Sequence, residues 1–170
     1  MGHHESFKNS LFSDPHLAAW NVVAAHPGTF HCDVVSLSSP ALWVVMGGHV
    51  RTFPEHVDNL RQFLDRSAAC AHVTVFSRHL LAEHSIGHGM KINVDEYSNI
   101  NVTRVLSQTA LPNMAYAVTQ RRGRGIWAHI DTWFGGYAVH EAVLRYHGVR
   151  AKDHDLVLFT RPDVVFSHAI

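Results

Sequence analysis

Ala41-Leu42-Trp43-Val44-Val45-Met46, closed off by Pro40 before it and Gly47-Gly48 after it, is the stretch on which the fold reading turns. A continuous apolar run of strand length carries no alternation, so both of its faces must be buried. Parallel sheets covered by helices are where such strands occur. Downstream, Thr52-Phe53-Pro54-Glu55 has the form of a capping box, in which the Thr52 hydroxyl bonds the Glu55 amide and the Glu55 carboxylate reaches back. Val57, Leu60 and Leu64 then recur at helical spacing, with Phe63 widening the stripe. His72-Val73-Thr74-Val75-Phe76-Ser77 follows as a β-branched second strand, completing a strand, helix, strand unit whose crossover should be right-handed.

The carboxyl-terminal part repeats the pattern. Asp131 or Thr132 offers an N-cap for a helix carrying Trp133, Phe134, Tyr137, Ala138, Val143 and Leu144 and ending at Gly148. The spacings of Trp127, Trp133, Phe134 and Tyr137 suit a helix packed on a sheet, which assigns these rings to the core. Asp155-Leu156-Val157-Leu158-Phe159-Thr160 is another strand of buried composition, ended or kinked by Pro162. Between the halves, residues 78–125 are broken by Asn, Ser, Gly and charge. Ile100 and Val102 alternate there as in a short strand, and Leu111 to Gln120 reads as a helix with Pro112 in its first turn. Residues 1–40, punctuated by Pro15, Pro27, Gly28 and Pro40, read as an irregular extension. That leaves 41–170 as one α/β domain, a Rossmann-like three-layer sandwich with a mainly parallel sheet.

At 170 residues, 46% hydrophobic and 16% charged, the chain has globular proportions that exclude disorder or a fibrous protein. Lys plus Arg and Asp plus Glu number 14 each, so no overall field gathers nucleic acid or anionic lipid. No apolar run approaches the roughly 20 residues that cross a bilayer. Cys32 and Cys70 are able to pair but are too few for a disulfide framework and lack metal-ligand spacing. The 16 histidines show no zinc-binding frame, and a helix presenting His84 and His88 together is opposed by Gly87 and Gly89. Arg121-Arg122-Gly123-Arg124-Gly125, with no row of aromatics beside it, reads as a solvated loop before an RNA contact. Asn101-Val102-Thr103 is a glycosylation sequon that matters only in a secretory lumen, and the compartment stays open between cytoplasm and Golgi lumen.

In open α/β sheets ligands bind beyond the carboxyl ends of the strands, which singles out loops 47–52 and 161–163. The first combines Gly47 and Gly48, which permit close backbone approach, with Arg51 and a helix N-terminus, opened by Thr52, whose free amides favour an anion. Phosphate is the guest such a loop suits, although neither the dinucleotide nor the P-loop fingerprint is present. The second loop places Arg161 and Asp163 at the end of a buried strand, where a carboxylate is placed to hold a divalent ion or a ribose hydroxyl. The plainer reading is a strand-ending salt bridge. Arg51 and Asp163 are expected to face one cleft.

Gly47-Gly48-His49-Val50-Arg51-Thr52-Phe53 after a first strand, and Asp155-Leu156-Val157-Leu158-Phe159-Thr160-Arg161-Pro162-Asp163-Val164-Val165-Phe166 after a long helix, carry a family likeness. They resemble the glycosyltransferase-like proteins of the nucleotide-diphospho-sugar transferase superfamily, which have the GT-A fold. The resemblance implies that Gly47, Gly48 and Arg51 lie near a nucleoside diphosphate sugar. It also implies that Arg161 and Asp163 occupy the place of the family's D-x-D motif, with Asp163 as ligand to Mn²⁺ or Mg²⁺. Where many members carry a first aspartate this sequence has Arg161, a cation able to neutralise diphosphate directly. A GT-A enzyme continues into an acceptor-binding half, whereas this chain stops four residues after Phe166. The resemblance therefore implies a donor-binding half, with no catalytic base assigned, serving a glycan, protein or lipid acceptor.

Two functional classes fit these residues. One is glycosyl transfer from a sugar nucleotide; the other is a non-catalytic α/β nucleotide-binding or protein-interaction domain in which the same loops hold a nucleotide or nothing.

Overall fold

The computed structural model describes residues 2–15, 17–18, 20–30, 39–50, 52–80, 99–109, 111, 113–121 and 128–168. The elements are α1 (Gly2–Phe12), β1 (Asn21–His26), β2 (Leu42–Gly48), α2 (Phe53–Ser67), β3 (Ala71–Leu80), α3 (Asn99–Gln108), β4 (Met114–Arg121), α4 (Ala128–His147) and β5 (Leu156–Thr160). They build a five-stranded sheet in the order β1, β4, β3, β2, β5. Strands β2 to β5 are parallel neighbours, and β1 pairs antiparallel with β4. The result is an α/β architecture consistent with a Rossmann-like sandwich. No helix among the described residues is long and apolar enough to cross a membrane.

The apolar run that opened the sequence reading is β2, buried along six consecutive residues. Its alternate residues part, one set entering the core under α2 and Trp43 entering a smaller cluster. Leu42, Val44 and Met46 pack with Phe53, Leu60, Phe63 and Leu64 of α2 and with Val102 and Leu106 of α3. Burying the four α2 side chains contributes on the order of 8 kcal/mol, as an upper figure. On the other face, Phe76, Ala115 and Ala117 of the sheet meet α1 through Phe7 and Leu11, and α4 through Ala138, Val139, Ala142 and Val143.

Several expectations are corrected. Residues 1–40 are not wholly irregular, since α1 and β1 lie within them. The short strand expected at Ile100 and Val102 is helix α3, whose buried pair is Val102 and Leu106, an i, i+4 spacing rather than an alternation. The helix expected over Leu111 to Gln120 is strand β4. Ala115, Tyr116, Ala117 and Val118 are buried on both sheet faces there, and ladder pairing overrides the helical preference of alanine. Helix α4 begins at Ala128, placing Asp131 and Thr132 inside it, and ends as expected before Gly148, at φ 65°. Trp133, Phe134 and Tyr137 are not core residues: they are 40%, 63% and 49% exposed. Strand β5 is the sheet's edge, with Leu156, Val157 and Phe159 substantially exposed.

At the amino end of the sheet, Ala41, Trp43, Cys70 and Leu144 form a small buried cluster. Cys70 is disulfide-bonded; the other cysteine of the sequence, Cys32, lies outside the described residues. Trp43 stacks on His72 at 4.8 Å between ring centroids and meets His140 at 5.4 Å. Asp155 ties β5 to this cluster. Its Oδ1 accepts the Ala41 amide at 2.9 Å, and its Oδ2 accepts the Lys152 amide at 2.8 Å and the Trp43 indole N–H at 3.1 Å. Burial pushes the Asp155 carboxyl up, but the donors from Lys152, Ala41 and Trp43, with His154 nearby, outweigh it and hold the group below its usual range. Replacing Asp155 by Ala orphans three donors and should lower stability by about 2 kcal/mol in denaturant titration.

Burial lowers His140 from 6.5 to about 4. The folded chain keeps it neutral while the unfolded chain protonates it at the ordinary value. Its contribution is therefore complete above about pH 6.5 and drains away as pH falls toward 4, while Asp155 withdraws its own lower still. Tm is expected to fall across this window in pH-dependent thermal melts, and His140→Leu to flatten the upper part of the fall. A parent Tm constant down to the lower limit would contradict the account.

Candidate functional site

From β2 the chain steps to β3 and β4 on one side, then returns to lay β5 on the other side of β2. Strand order thus reverses between β2 and β5. In an open α/β sheet the crevice at such a switch point, beyond the carboxyl ends of the strands, is where ligands bind. Loops 47–52 and 161–163 leave these two strands.

The structure brings the two loops together. Gly48 has φ 137°, a conformation side chains rarely adopt, and a Cβ built on it would lie 3.7 Å from Pro162 Cδ. A Cβ on Gly47 would lie 2.8 Å from Thr132 Cγ2 and 2.9 Å from the Thr132 carbonyl oxygen, so the early part of α4 rests directly on the end of β2. Arg51 lies outside the described residues, and with it the expectation that Arg51 and Asp163 share a cleft.

The donors at this edge differ from those expected. Thr52 is the N-cap residue of α2 but makes no side-chain capping bond; its carbonyl accepts the Glu55 amide at 3.0 Å. The Phe53 amide bonds the Val50 carbonyl at 3.1 Å, and Pro54 has no N–H. The α2 N-terminus therefore offers its dipole but few free amides. Two hydroxyls stand nearby. Thr52 Oγ1 and Ser77 Oγ are buried and find no hydrogen-bond partner among the described residues. Ser77, 1% exposed, stands beside Gly48 in the parallel ladder, where glycine leaves the neighbouring position without a side chain. Ser77 was visible in sequence only as the polar residue ending a β-branched strand.

Arg161 and Asp163 form a two-pronged pair, Nε to Oδ1 at 2.9 Å and Nη2 to Oδ2 at 2.6 Å. The guanidinium is 61% exposed and the carboxylate 18%. This is the geometry of the strand-ending salt bridge, and it occupies both Asp163 oxygens. Among the described residues no group of three or more His, Cys, Asp or Glu is placed to hold a metal ion. The described donor set does not fit a resident divalent metal: one carboxylate already held by arginine is too few oxygens for Mg²⁺ or Mn²⁺.

Two clefts among the described residues lie away from this edge. One of about 440 Å³ runs between α1 and α4 beside the Arg145–Asp14 ion pair. The other, about 480 Å³, is lined by His26, Asn113 and Tyr116 at the amino end of β4. No protein-family model matches the chain, and neither does any curated protein or solved structure.

Gly47→Ala should force α4 away from β2, lowering stability by about 1–3 kcal/mol as overpacked sites do. A variant melting with the parent would show that Thr132 yields without cost.

Proposed function

We propose that the chain binds a nucleoside diphosphate sugar at the carboxyl edge of β2 and β5, as the donor-binding part of a glycosyltransferase with a GT-A-like fold. The observation that carries the reading is the coincidence of the switch point with the two motif-bearing loops, seated against each other at Gly48 and Pro162. In this reading the glycines let the diphosphate approach the backbone. The Ser77 and Thr52 hydroxyls gain an oxygen partner that they otherwise lack. Arg161, oriented by Asp163, turns its guanidinium to the departing diphosphate, where charge-assisted hydrogen bonds stabilise the negative charge that develops as the glycosidic bond breaks. Neutralisation is thus assigned to arginine rather than to Mn²⁺ or Mg²⁺. The acceptor, a glycan, protein or lipid, is not specified by any described residue.

A second reading, a non-catalytic α/β interaction domain, is favoured by one observation: Arg161 and Asp163 already neutralise each other. Calorimetric titration with UDP and GDP, with and without Mn²⁺, separates the two. The first reading expects binding of one nucleotide, weakened roughly 10- to 100-fold by Arg161→Ala to the same extent with or without Mn²⁺. Loss confined to the Mn²⁺ arm, and mainly in Asp163→Asn, would return the metal to Asp163. A folded chain that binds neither nucleotide selects the interaction domain.

A further inference from the structure

The sheet has two edges, and they are built differently. Strand β1 is interrupted by a register shift between Val22 and Ala24 and is followed at once by Pro27, both devices that keep an edge from pairing with another chain. Strand β5 has no register shift, and its nearest proline, Pro162, comes only after Arg161. Its five residues contain no charge and no proline, and its register against β2 is unbroken. The Leu156 amide bonds the Ala41 carbonyl, so the alternation of the ladder turns the backbone of Val157 and Phe159 to the open side. Among the described residues no strand pairs there.

Beside this edge runs an apolar stripe on α4. Ile130, Trp133, Phe134 and Tyr137 follow the i, i+3, i+4, i+7 spacing of one helix face and are 40% to 63% exposed. The stripe and the strand are continuous, since Phe159 meets Trp133 at 6.0 Å and Tyr137 at 6.3 Å between ring centroids. Together with Leu156, Val157 and Phe159 these residues, 40% to 63% exposed, offer an apolar area of the same order as the ~800 Å² that each partner gives to a standard interface.

We propose that this surface is covered by a second copy of the chain, the two β5 strands pairing antiparallel about a two-fold axis normal to the sheet. The surface presents a strand edge flanked by an apolar helix face, and a second copy offers the same two features in the same arrangement. That is self-complementarity, which a two-fold interface requires. Such an axis maps each face of the sheet onto itself. It joins the two five-stranded sheets into one continuous sheet and lays the two α4 stripes against each other. No charged residue of β5 meets its own copy across the axis. The proposal is independent of the nucleotide reading.

Sedimentation equilibrium of the chain at micromolar concentration tests it, with two variants. Val157→Pro removes an amide from the open side while sparing the bonds to β2, a place where edge strands tolerate proline. Phe134→Glu sets a charge in the stripe at its most exposed residue. The parent is expected at twice the mass of one chain, and both variants at the mass of one, with circular dichroism unchanged. A parent that sediments as a single chain, a dimer that survives both substitutions, or open-ended larger species would overturn the proposal.

Discussion

The closeness of α4 to the sheet at Gly135 and Gly136 is the constraint from which the rest follows. A Cβ on Gly135 would lie 2.4 Å from Phe76 Cζ, and one on Gly136 would lie 3.3 Å from Val45 Cγ1. Two adjacent glycines inside a helix cost about 2 kcal/mol against alanine, and the cost is offset only if they let larger groups pack. Here Phe76, fully buried, fills the space against them. Because α4 lies so near, Thr132 abuts Gly47 at the carboxyl end of β2. The same rotation of the helix that turns the glycines inward turns Trp133, Phe134 and Tyr137 out. One packing decision thus shapes both the carboxyl end of β2 and the exposed stripe.

Chemically, the proposed site is unlike a phosphate loop made of helix-end amides. Its polarity comes from two buried hydroxyls and from a guanidinium already engaged with a carboxylate. An anion bound there would have to compete with Asp163 for Arg161, whose exposure lets solvent screen the pair. Geometry, rather than excess positive charge, is what the loops contribute.

The strands of continuous apolar composition were legible in the sequence because residues such as Val44 and Val45 have no polar face to hide, whichever side packs first. From them followed the parallel core, α2, and the loops later found at the switch point. What was not legible depended on partners distant in sequence. Val102 reads equally as part of an alternation with Ile100 or of a helical pair with Leu106 until the sheet face it covers is known. The Ala-rich stretch at 115–117 becomes a strand because β1 and β3 flank it. Helix α4 is apolar on two faces, and only the small residues decide which one goes in. At the site, the glycines and Arg161 with Asp163 were visible as types. The unused capping box at Thr52 and the unpartnered Ser77 were not, since both depend on bonds that fail to form.

The bond at Cys70 has a directional side. Cys70 is 1% exposed, enclosed by Ala41, Trp43 and Leu144, and its carbonyl accepts the Leu42 amide that begins β2. Leu144 belongs to α4, which enters the chain late, after the strands it covers. An oxidant of thiols needs access to the sulfur, and the docked helix denies it. While α4 is docked, a thiol in solution cannot reach the Cys70 sulfur, so exchange at this bond must begin at its other sulfur. The docked helix thereby imposes a direction on the redox chemistry of the bond it covers.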